Sequence, residues 1–203
     1  MSKNLIIVFT RNPELGKVKT RLAKILGNQS ALNIYNYLLK YTEQTIRNIN
    51  CDKAVFYSVK IREDDIWNSN IYQKLQQKGK DLGSRMSNAF KYAFEKNYEK
   101  VIIIGSDLID LKSKHISTTL KMLDNNDVII GPAQDGGYYL LGMKKIHSNI
   151  FENKDWGTAT VLKDTLKDLQ HLDVFHLEEL NDIDTFEDLK DNQTLKELIT
   201  KNG

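Results

Sequence analysis

A cationic loop follows the first apolar run of the chain, and its side chains are of the kind that bind phosphate. The run Leu5–Phe9 leads into a segment with a single acid, Glu14, before residue 24. Its candidate ligand contacts are Arg11, Lys17, Lys19 and Arg21. Lysine, arginine and the backbone N–H groups at a helix start all favour phosphate oxygens. The loop is therefore predicted to hold an anion; the alternative is a solvated helix start with scattered lysines.

The spacing within this loop excludes two common nucleotide-binding signatures. A Walker A loop requires Gly-x4-Gly-Lys-Ser/Thr, but Arg11 stands at its first glycine position and Val18 at its hydroxyl position. The Gly-x-Gly-x-x-Gly fingerprint of dinucleotide-binding folds is also missing from the sequence. A phosphate site here must use another geometry.

Two aspartates are candidate ligands of a divalent cation. Asp107 comes shortly after the apolar run Val101–Ile104, where a strand would end. Mg2+ and Mn2+ favour carboxylate oxygens alongside phosphate oxygens, although Asp107 could instead cap the next turn. Asp184 has Glu187 three residues later, so it fits either the start of a helix or a second metal carboxylate.

Three further segments could close around a ligand, and each also has a structural interpretation. Residues 131–139 fit a hairpin turn or a close approach of backbone to ligand. Residues 77–86 precede and open an amphipathic helix, which Asp81 or Ser84 could simply cap. The aromatic ring in residues 155–158 could cover a sugar or base, or pack in the core. Their candidate contacts are Asp81, Arg85, Asp135, Gly136, Gly137 and Trp156.

Composition restricts the class of protein. The chain has 203 residues, 40% of them hydrophobic, and a net charge of +2, which does not indicate a nucleic-acid partner. The single cysteine, Cys51, excludes an internal disulfide framework. No run reaches the roughly 18 apolar residues of a membrane span. The four histidines lack zinc-ligand spacing, and no Gly-x-Ser-x-Gly elbow is present. A cytoplasmic protein is expected.

The hydrophobic pattern predicts an α/β fold with a mainly parallel, mixed sheet and helices on both faces. Apolar strands are expected at Leu5–Phe9, Ala54–Val59, Val101–Ile104, Val128–Ile130, Tyr138–Met143 and Leu172–Leu177, with amphipathic helices between most of them. A last helix is expected over 186–199, and 61–70 is the expected surface insertion. One domain over 1–203 accounts for this pattern. Ligands of such sheets bind beyond the carboxyl ends of the strands.

With these motifs in view, the chain resembles a bacterial family of glycosyltransferase-like proteins, DUF2064, some of whose members are described as arsenosugar-biosynthesis glycosyltransferases. The matching stretches are Gly16–Leu22, Gly79–Met86, Gly105–Leu108, Gln134–Gly142, Trp156–Thr158 and Asn181–Thr185. The family belongs to the nucleotide-diphospho-sugar transferase superfamily, so the resemblance implies the GT-A fold. The first stretch is also similar to phospholactate guanylyltransferases, and the last to sugar-acid cytidylyltransferases.

The resemblance also implies roles for single residues. Asp107 and Asp184 become the ligands of Mg2+ or Mn2+, with Asp107 catalytic together with the phosphate contacts Lys19 and Arg21. The remaining candidates, Arg11, Lys17 and Thr20 in the loop and the contacts in 79–86, 131–139 and 155–158, become nucleotide or substrate contacts. One departure is that Asp107–Asp110 reads Asp-Leu-Ile-Asp, not the Asp-x-Asp of typical glycosyltransferases.

The expected function is that of a metal-dependent transferase that binds a nucleotide or nucleotide sugar and a small-molecule acceptor. Glycosyl transfer from a nucleotide-diphospho-sugar is the first hypothesis. Nucleotidylyl transfer from a nucleoside triphosphate to a phosphorylated or acidic acceptor is the alternative, since so many cations suit a triphosphate. A nucleotide-binding protein without catalysis is the third. The base, the sugar, the acceptor and the oligomeric state stay open.

Overall fold

The computed structural model describes residues 2–189 and 192–200. The strands there are β1 (Asn4–Thr10), β2 (Asp52–Tyr57), β3 (Tyr72–Gln76), β4 (Lys100–Ile104), β5 (Val128–Pro132), β6 (Tyr138–Met143) and β7 (Val174–His176). The α-helices are α1 (Thr20–Arg47), α2 (Leu82–Glu95), α3 (Ser113–Met122), α4 (Val161–Asp168) and α5 (Gln193–Thr200). Two turns of 3-10 helix lie at Ser148–Phe151 and Glu187–Leu189.

The described strands form one mixed sheet in the order β3-β2-β1-β4-β6-β5-β7. Strand β6 runs antiparallel to both of its neighbours, β4 and β5. The other pairings are parallel. The predicted α/β class and mainly parallel sheet are therefore confirmed.

Helices cover both faces of the sheet, which explains why its inner strands are apolar at every position. In β1, Ile6 and Val8 pack into the core beneath α1 and α3, whereas Leu5 and Ile7 pack on the opposite face beneath α2 and α4. Strands covered on both sides lose the alternation of apolar and polar residues. The expected three-layer arrangement of helices, sheet and helices is confirmed.

Strand β1 is the point at which the strand order reverses: β2 and β3 lie on one side of it, and the later strands lie on the other. It pairs with β2 on one side and with β4 on the other, both in parallel. The carboxyl ends of these three strands therefore lie together, and so do the loops that follow them. In open α/β sheets this is the usual position of a ligand crevice.

Three elements differ from the sequence-based expectation. Strand β3 was not predicted, because an edge strand with the sequence YQKLQ lacks a continuous apolar run. Helix α1 is interrupted at Gly27, whose φ is 81°. The last helix was expected from residue 186, but a 3-10 turn over Glu187–Leu189 precedes α5, and residues 190–191 lie outside the described chain. None of the helices described is long and apolar enough to cross a bilayer.

Candidate functional site

The predicted phosphate loop and Asp107 lie side by side because β1 and β4 are adjacent. These strands pair from Asn4 opposite Lys100 to Val8 opposite Ile104. The chain leaves both strands at the same edge of the sheet. Residues far apart in sequence, Lys19 and Asp107, thereby come into direct contact.

Lys19 lies at the centre of this contact. Its Nζ atom is 2.8 Å from Oδ2 of Asp107 and 3.3 Å from Oδ1 of Asp184. Only 4% of its side chain is exposed. Burial by itself lowers the pKa of this ammonium, but the nearby carboxylates outweigh burial, and the pKa of Lys19 is raised above its ordinary value. Lys19 is thus a buried cation that stays charged at neutral pH.

The backbone around Lys19 separates this buried cation from exposed ones. Lys19 has φ 46° and ψ 48°, the left-handed region, immediately before α1. A non-glycine residue in this conformation costs about 1 kcal/mol or more, and such strain concentrates at functional sites. Thr20 and Arg21 then open the helix and are exposed. The loop therefore presents one charge inside the site and another at its rim.

Asp184 is available to these cations because another residue caps the turn in which it lies. The carboxylate of Asp188 accepts hydrogen bonds from the backbone N–H groups of Asp184 and Thr185, at 3.0 and 2.6 Å. Asp184 itself accepts from Lys19 and from Nη1 of Arg21, the latter at 3.1 Å. Asp188 thus holds the backbone of this turn, and the Asp184 carboxylate faces Lys19 and Arg21.

The segment that carries Asp184 reaches the site by extending the sheet beyond β7. The N–H group of Leu177 donates to the carbonyl of Ile130, and that of Leu180 to the carbonyl of Pro132. The N–H group of Ile183 then donates to the carbonyl of Asp107, at 3.2 Å. This path brings the end of the chain to the carboxyl end of β4.

Asp182 is a site residue that sequence reasoning missed. Burial first, and then the negative charges of Asp107, Asp135 and Asp184, raise its pKa to about 6. The sequence contained a signal for Asp182. In an extended segment, residues two apart point to the same side, so a role for Asp184 suggests that Asp182 lies beside it. We interpret the site as carboxylate-rich, with less positive than negative charge at its centre.

The other predicted contacts on α2 and beside it lie around the first turn of that helix. Asp81 is its N-cap, with Oδ1 accepting from the N–H group of Ser84 at 2.7 Å. Arg85 donates from Nε to the carbonyl of Gly79. A side chain added at Gly83 would meet the ring of Trp156 at 2.5 Å, so that ring packs against the helix start. The substrate roles of Asp81, Arg85 and Trp156 stay predictions.

The Asp-Gly-Gly turn packs tightly against the loop that precedes α4. Gly136 has φ 87°, and a Cβ atom there would lie 2.3 Å from the carbonyl oxygen of Ala159. Asp135 accepts the N–H group of Gly137 through Oδ1, at 2.8 Å. Glycine is thus required by contact as well as by conformation, while the predicted ligand role of this turn remains a prediction.

Two predicted phosphate contacts do not join the Lys19 cluster. Lys17 is exposed and pairs with Glu14 at 2.7 Å, which lowers the pKa of that glutamate. Arg11 is exposed and lines a separate cleft on the α1 side of the sheet. Within the described chain, direct contacts therefore bring together Lys19, Arg21, Asp107 and Asp184 of the predicted set.

The carboxylates of this cluster have the chemistry that a divalent cation requires. Among residues 2–189 and 192–200, no three metal-ligating side chains are already gathered as a coordination shell. Burial is the main cause of the raised pKa of Asp182, and the charges of Asp107, Asp135 and Asp184 raise it further, while Lys19 lowers it. A hard cation among these oxygens would relieve that repulsion. Asp107 and Asp184 thus offer oxygens of the kind that Mg2+ or Mn2+ takes, and their role as metal ligands stays a prediction.

Comparison with known proteins identifies the family. The sequence profile of the family described as "Uncharacterized protein conserved in bacteria (DUF2064)" matches residues 41–158, more than half of the chain. The chain is a DUF2064 protein. The resemblance drawn from its motifs is thereby confirmed.

Relatives with named activities match the DUF2064 chain in part. A 2-phospho-L-lactate guanylyltransferase of Methanocaldococcus vulcanius is 29% identical over 69% of this chain and 61% of its own length. The enzyme of the same name from Methanocaldococcus jannaschii is 32% identical over 64% of this chain and 56% of its own. The match thus spans about three fifths of the length of these curated relatives.

Solved structures confirm the fold of the DUF2064 chain over its whole length. A protein from Desulfovibrio desulfuricans G20, provisionally named a nucleotide-diphospho-sugar transferase, superposes with a TM-score of 0.86. It is 30% identical, and the match covers 100% of this chain and 96% of that one. The predicted nucleotide-diphospho-sugar transferase fold is therefore confirmed.

Proposed function

We propose that this protein is a nucleotidyltransferase, which transfers a nucleotidyl group from a nucleoside triphosphate to a phosphorylated or acidic small molecule. The observation that carries the proposal is the contact of the buried Lys19 ammonium with Asp107 and Asp184 at the carboxyl edge of the sheet. The guanylyltransferase relatives support the same class of reaction. Their named substrate, 2-phospho-L-lactate, is a phosphorylated acid, and GTP is the first triphosphate to test.

In nucleotidylyl transfer, an oxygen of the acceptor attacks the α-phosphorus of the triphosphate. The bond from that phosphorus to the bridging oxygen breaks, and pyrophosphate leaves with added negative charge. Lys19 holds a fixed charge inside the site, and Arg21 holds another at its rim, where Nη1 contacts Asp184. Charges placed beforehand beside the leaving oxygens stabilise the transition state more than the substrate.

We also propose that Mg2+ or Mn2+ binds at Asp107 and Asp184, with Asp182 as an additional carboxylate. When bound, such a cation neutralises phosphate charge and orients the phosphate chain. The role of the protein is to keep these oxygens together. The hydrogen bond from Ile183 N–H to the Asp107 carbonyl fixes the distance between the two segments that carry them.

Glycosyl transfer from a nucleotide-diphospho-sugar is the second candidate. It is favoured by the Desulfovibrio desulfuricans structure, which matches this chain at 30% identity over its whole length and carries a sugar-transferase name. The same cations would then bind the two phosphates of the leaving nucleoside diphosphate. The two reactions differ in their small product, which is pyrophosphate in one case and a nucleoside diphosphate in the other.

The test is a product assay on the purified full chain with Mg2+ or Mn2+ in excess over the nucleotide. Each nucleoside triphosphate is supplied with 2-phospho-L-lactate and related phosphorylated acids, and pyrophosphate is measured. Nucleotide sugars are supplied in parallel, and nucleoside diphosphate is measured. Acceptor-dependent pyrophosphate supports the proposal, whereas acceptor-dependent nucleoside diphosphate alone favours the second candidate.

Asp107→Asn is the matched test of the site, because it keeps the shape of the side chain and removes its charge. We expect turnover to fall at least about a hundredfold, a typical loss when one transition-state contact is removed. Asp173→Asn is the control, since Asp173 is exposed at the amino end of β7. Stabilisation of the wild-type fold by nucleotide with no product from any acceptor would leave only the non-catalytic binding protein.

A further inference from the structure

A second cleft lies beside the proposed reaction site, on the other side of the phosphate loop. Its volume is about 280 Å3. One wall is α1, with Leu39, and the other is the segment that joins β2 to β3, with Ile66 and Trp67. Arg11 and Arg62 also line it. Neither Lys19 nor the aspartates of the proposed metal site lines this cleft.

The wall formed by the β2–β3 segment is held in place by buried polar contacts. Asp65 accepts hydrogen bonds from the hydroxyl of Tyr57 at 2.6 Å, from the backbone N–H group of Trp67 at 3.0 Å and from Nζ of Lys74 at 3.0 Å. The side chains of Lys74 and Asp65 are only 6% and 12% exposed. A surface insertion with this much internal support is a preformed wall rather than a loose loop.

The opposite end of the same segment is tied to the phosphate loop itself. The side chain of Asn12 accepts the N–H group of Val59 at 2.9 Å and donates to the carbonyl of Lys60 at 2.8 Å. Asn12 is buried. The position of the cleft relative to Arg11 is therefore set by the fold.

The charges that face the cleft favour an anion. In the described chain, the side chains of Arg11 and Arg62 form neither an ion pair nor a hydrogen bond with another side chain or the backbone. Two of the acids nearby are paired, Asp65 with Lys74 and Glu14 with Lys17. Two guanidinium groups thus remain for an external partner, opposed by the lining acid Asp64 and by Glu63, whose charge acts on the lining residue Tyr57.

We propose that this cleft binds a small organic anion. Its carboxylate or phosphate lies between Arg11 and Arg62, and its apolar body packs against Leu39, Ile66 and Trp67. Arginine binds such groups in bidentate fashion, and an apolar wall adds the burial that makes a small ligand specific. The site does not depend on nucleotidylyl transfer, so it stands or falls separately from the proposed function.

The test uses phenyl phosphate and benzoate as probes, with phenol as the neutral comparison, on the full chain without nucleotide or metal. Binding is measured by calorimetry and by the shift of the Trp67 indole N–H signal in a nitrogen–proton correlation spectrum. Trp156→Phe assigns that signal. We expect both anions to shift the Trp67 signal and phenol to shift it at least tenfold more weakly at equal concentration.

Arg62→Met should weaken phenyl phosphate binding at least tenfold and leave GTP binding unchanged. Ile66→Asp should do the same through charge repulsion. Lys40→Met is the charge-matched control, since Lys40 is exposed on α1 and does not line the cleft. Absence of binding at millimolar anion, equal binding of phenol, or equal binding by Arg62→Met and wild type would each overturn the proposal.

Discussion

Among single residues, Lys19 determines the electrostatics of the candidate site. Its ammonium is buried, whereas 34% of the Asp107 side chain and 40% of the Asp184 side chain are exposed. Burial of a charge is unfavourable unless partners compensate it, and here the carboxylates do so. Because those carboxylates also outnumber it, negative charge exceeds positive charge around Lys19, and this imbalance is the basis of the proposed metal site. Lys19 thus sets the balance of charge on which the proposed function depends.

Replacing Lys19 by methionine keeps the apolar stem and removes the ammonium. We expect the free energy of unfolding at pH 7 to fall by about 1–2 kcal/mol, below the full value for breaking a buried pair because Asp107 and Asp184 remain partly hydrated. Urea unfolding measures this change. The control is Lys3→Met, since Lys3 pairs with Glu99 at the surface. An unchanged stability of Lys19→Met would contradict the buried contact.

Replacing Asp182 by asparagine tests the crowding of carboxylates through pH. The pKa of Asp182 is 3.8 in the reference state and about 6 in the folded chain, so the folded state binds more protons between these values. The contribution of Asp182 to the free energy of unfolding therefore falls as the pH rises from about 4 to 6, and it stays lower above pH 6. We expect Asp182→Asn to be more stable than wild type by about 1 kcal/mol at pH 8, with solvent screening considered, and equal to it near pH 4.

Unfolding curves at pH 4 and pH 8 measure this difference. Asp173→Asn supplies the comparison, because Asp173 is exposed at the opposite end of the sheet. A variant that is less stable than wild type at pH 8 would show that Asp182 is stabilised by its neighbours, contrary to the geometry.

Among the secondary-structure elements, the connections rather than the strands shape the site. The turn before β6 and the loop before α4 touch at Gly136 and Ala159, while the loop before α2 is linked to the end of β1 by the Gln77 side chain, which donates to the Thr10 carbonyl. The backbone of Gly136 lies directly against the backbone of Ala159, so there is no room for a side chain at position 136. The relative position of the turn before β6 and the loop before α4 therefore depends on Gly136.

Gly136→Ala and Gly157→Ala form a matched pair that separates contact from conformation. Both glycines have positive φ, 87° and 85°, but a Cβ atom at Gly157 meets nothing within 4 Å. We expect Gly157→Ala to lower the free energy of unfolding by about 1 kcal/mol, the cost of the backbone conformation alone. Gly136→Ala should lower it by at least about 2 kcal/mol more, because its Cβ atom also clashes with Ala159. Thermal and urea unfolding measure both. Equal losses would show that the Gly136–Ala159 contact relaxes without cost.

For the whole molecule, the central fact is that cations from one end of the chain meet carboxylates from the middle and the other end. The parallel order places the ends of β1 and β4 together, and the extension of β7 adds Asp182 and Asp184. A ligand that bridges these segments binds only the folded chain. Its binding free energy therefore adds to the stability of the whole fold.

We expect GTP with Mg2+ to raise the melting temperature of the wild type by about 5–10 °C at a hundredfold excess over its Kd, from about 2.7 kcal/mol of linkage. Removing the metal with EDTA should abolish most of this shift, because the phosphate charge then faces Asp107 and Asp184 directly. Asp107→Asn should show little dependence on Mg2+. A full shift in EDTA would rule out the proposed metal site, and no shift with any nucleotide would rule out nucleotide binding.

Much of the fold follows from local patterns. The apolar runs at Leu5–Phe9 and Val101–Ile104 are strands because only a sheet covered on both faces buries every residue of such a run. The edge strand Tyr72–Gln76 gave no comparable signal, since an edge needs no continuous apolar sequence. Local patterns likewise could not show that the Asp188 carboxylate holds the backbone of Asp184 and Thr185, which leaves the Asp184 carboxylate for Lys19 and Arg21.

The sequence by itself determined the class of fold, the family and the types of charge at the carboxyl edge, because these depend on hydrophobic period and on motifs of a few residues. Only the tertiary structure decided which charges meet. Lys19 contacts Asp107 and Asp184 across separations of 88 and 165 residues, while Arg11, in the same loop, faces a different cleft. The physical reason is that strand order and backbone direction, not distance along the chain, place side chains in one site.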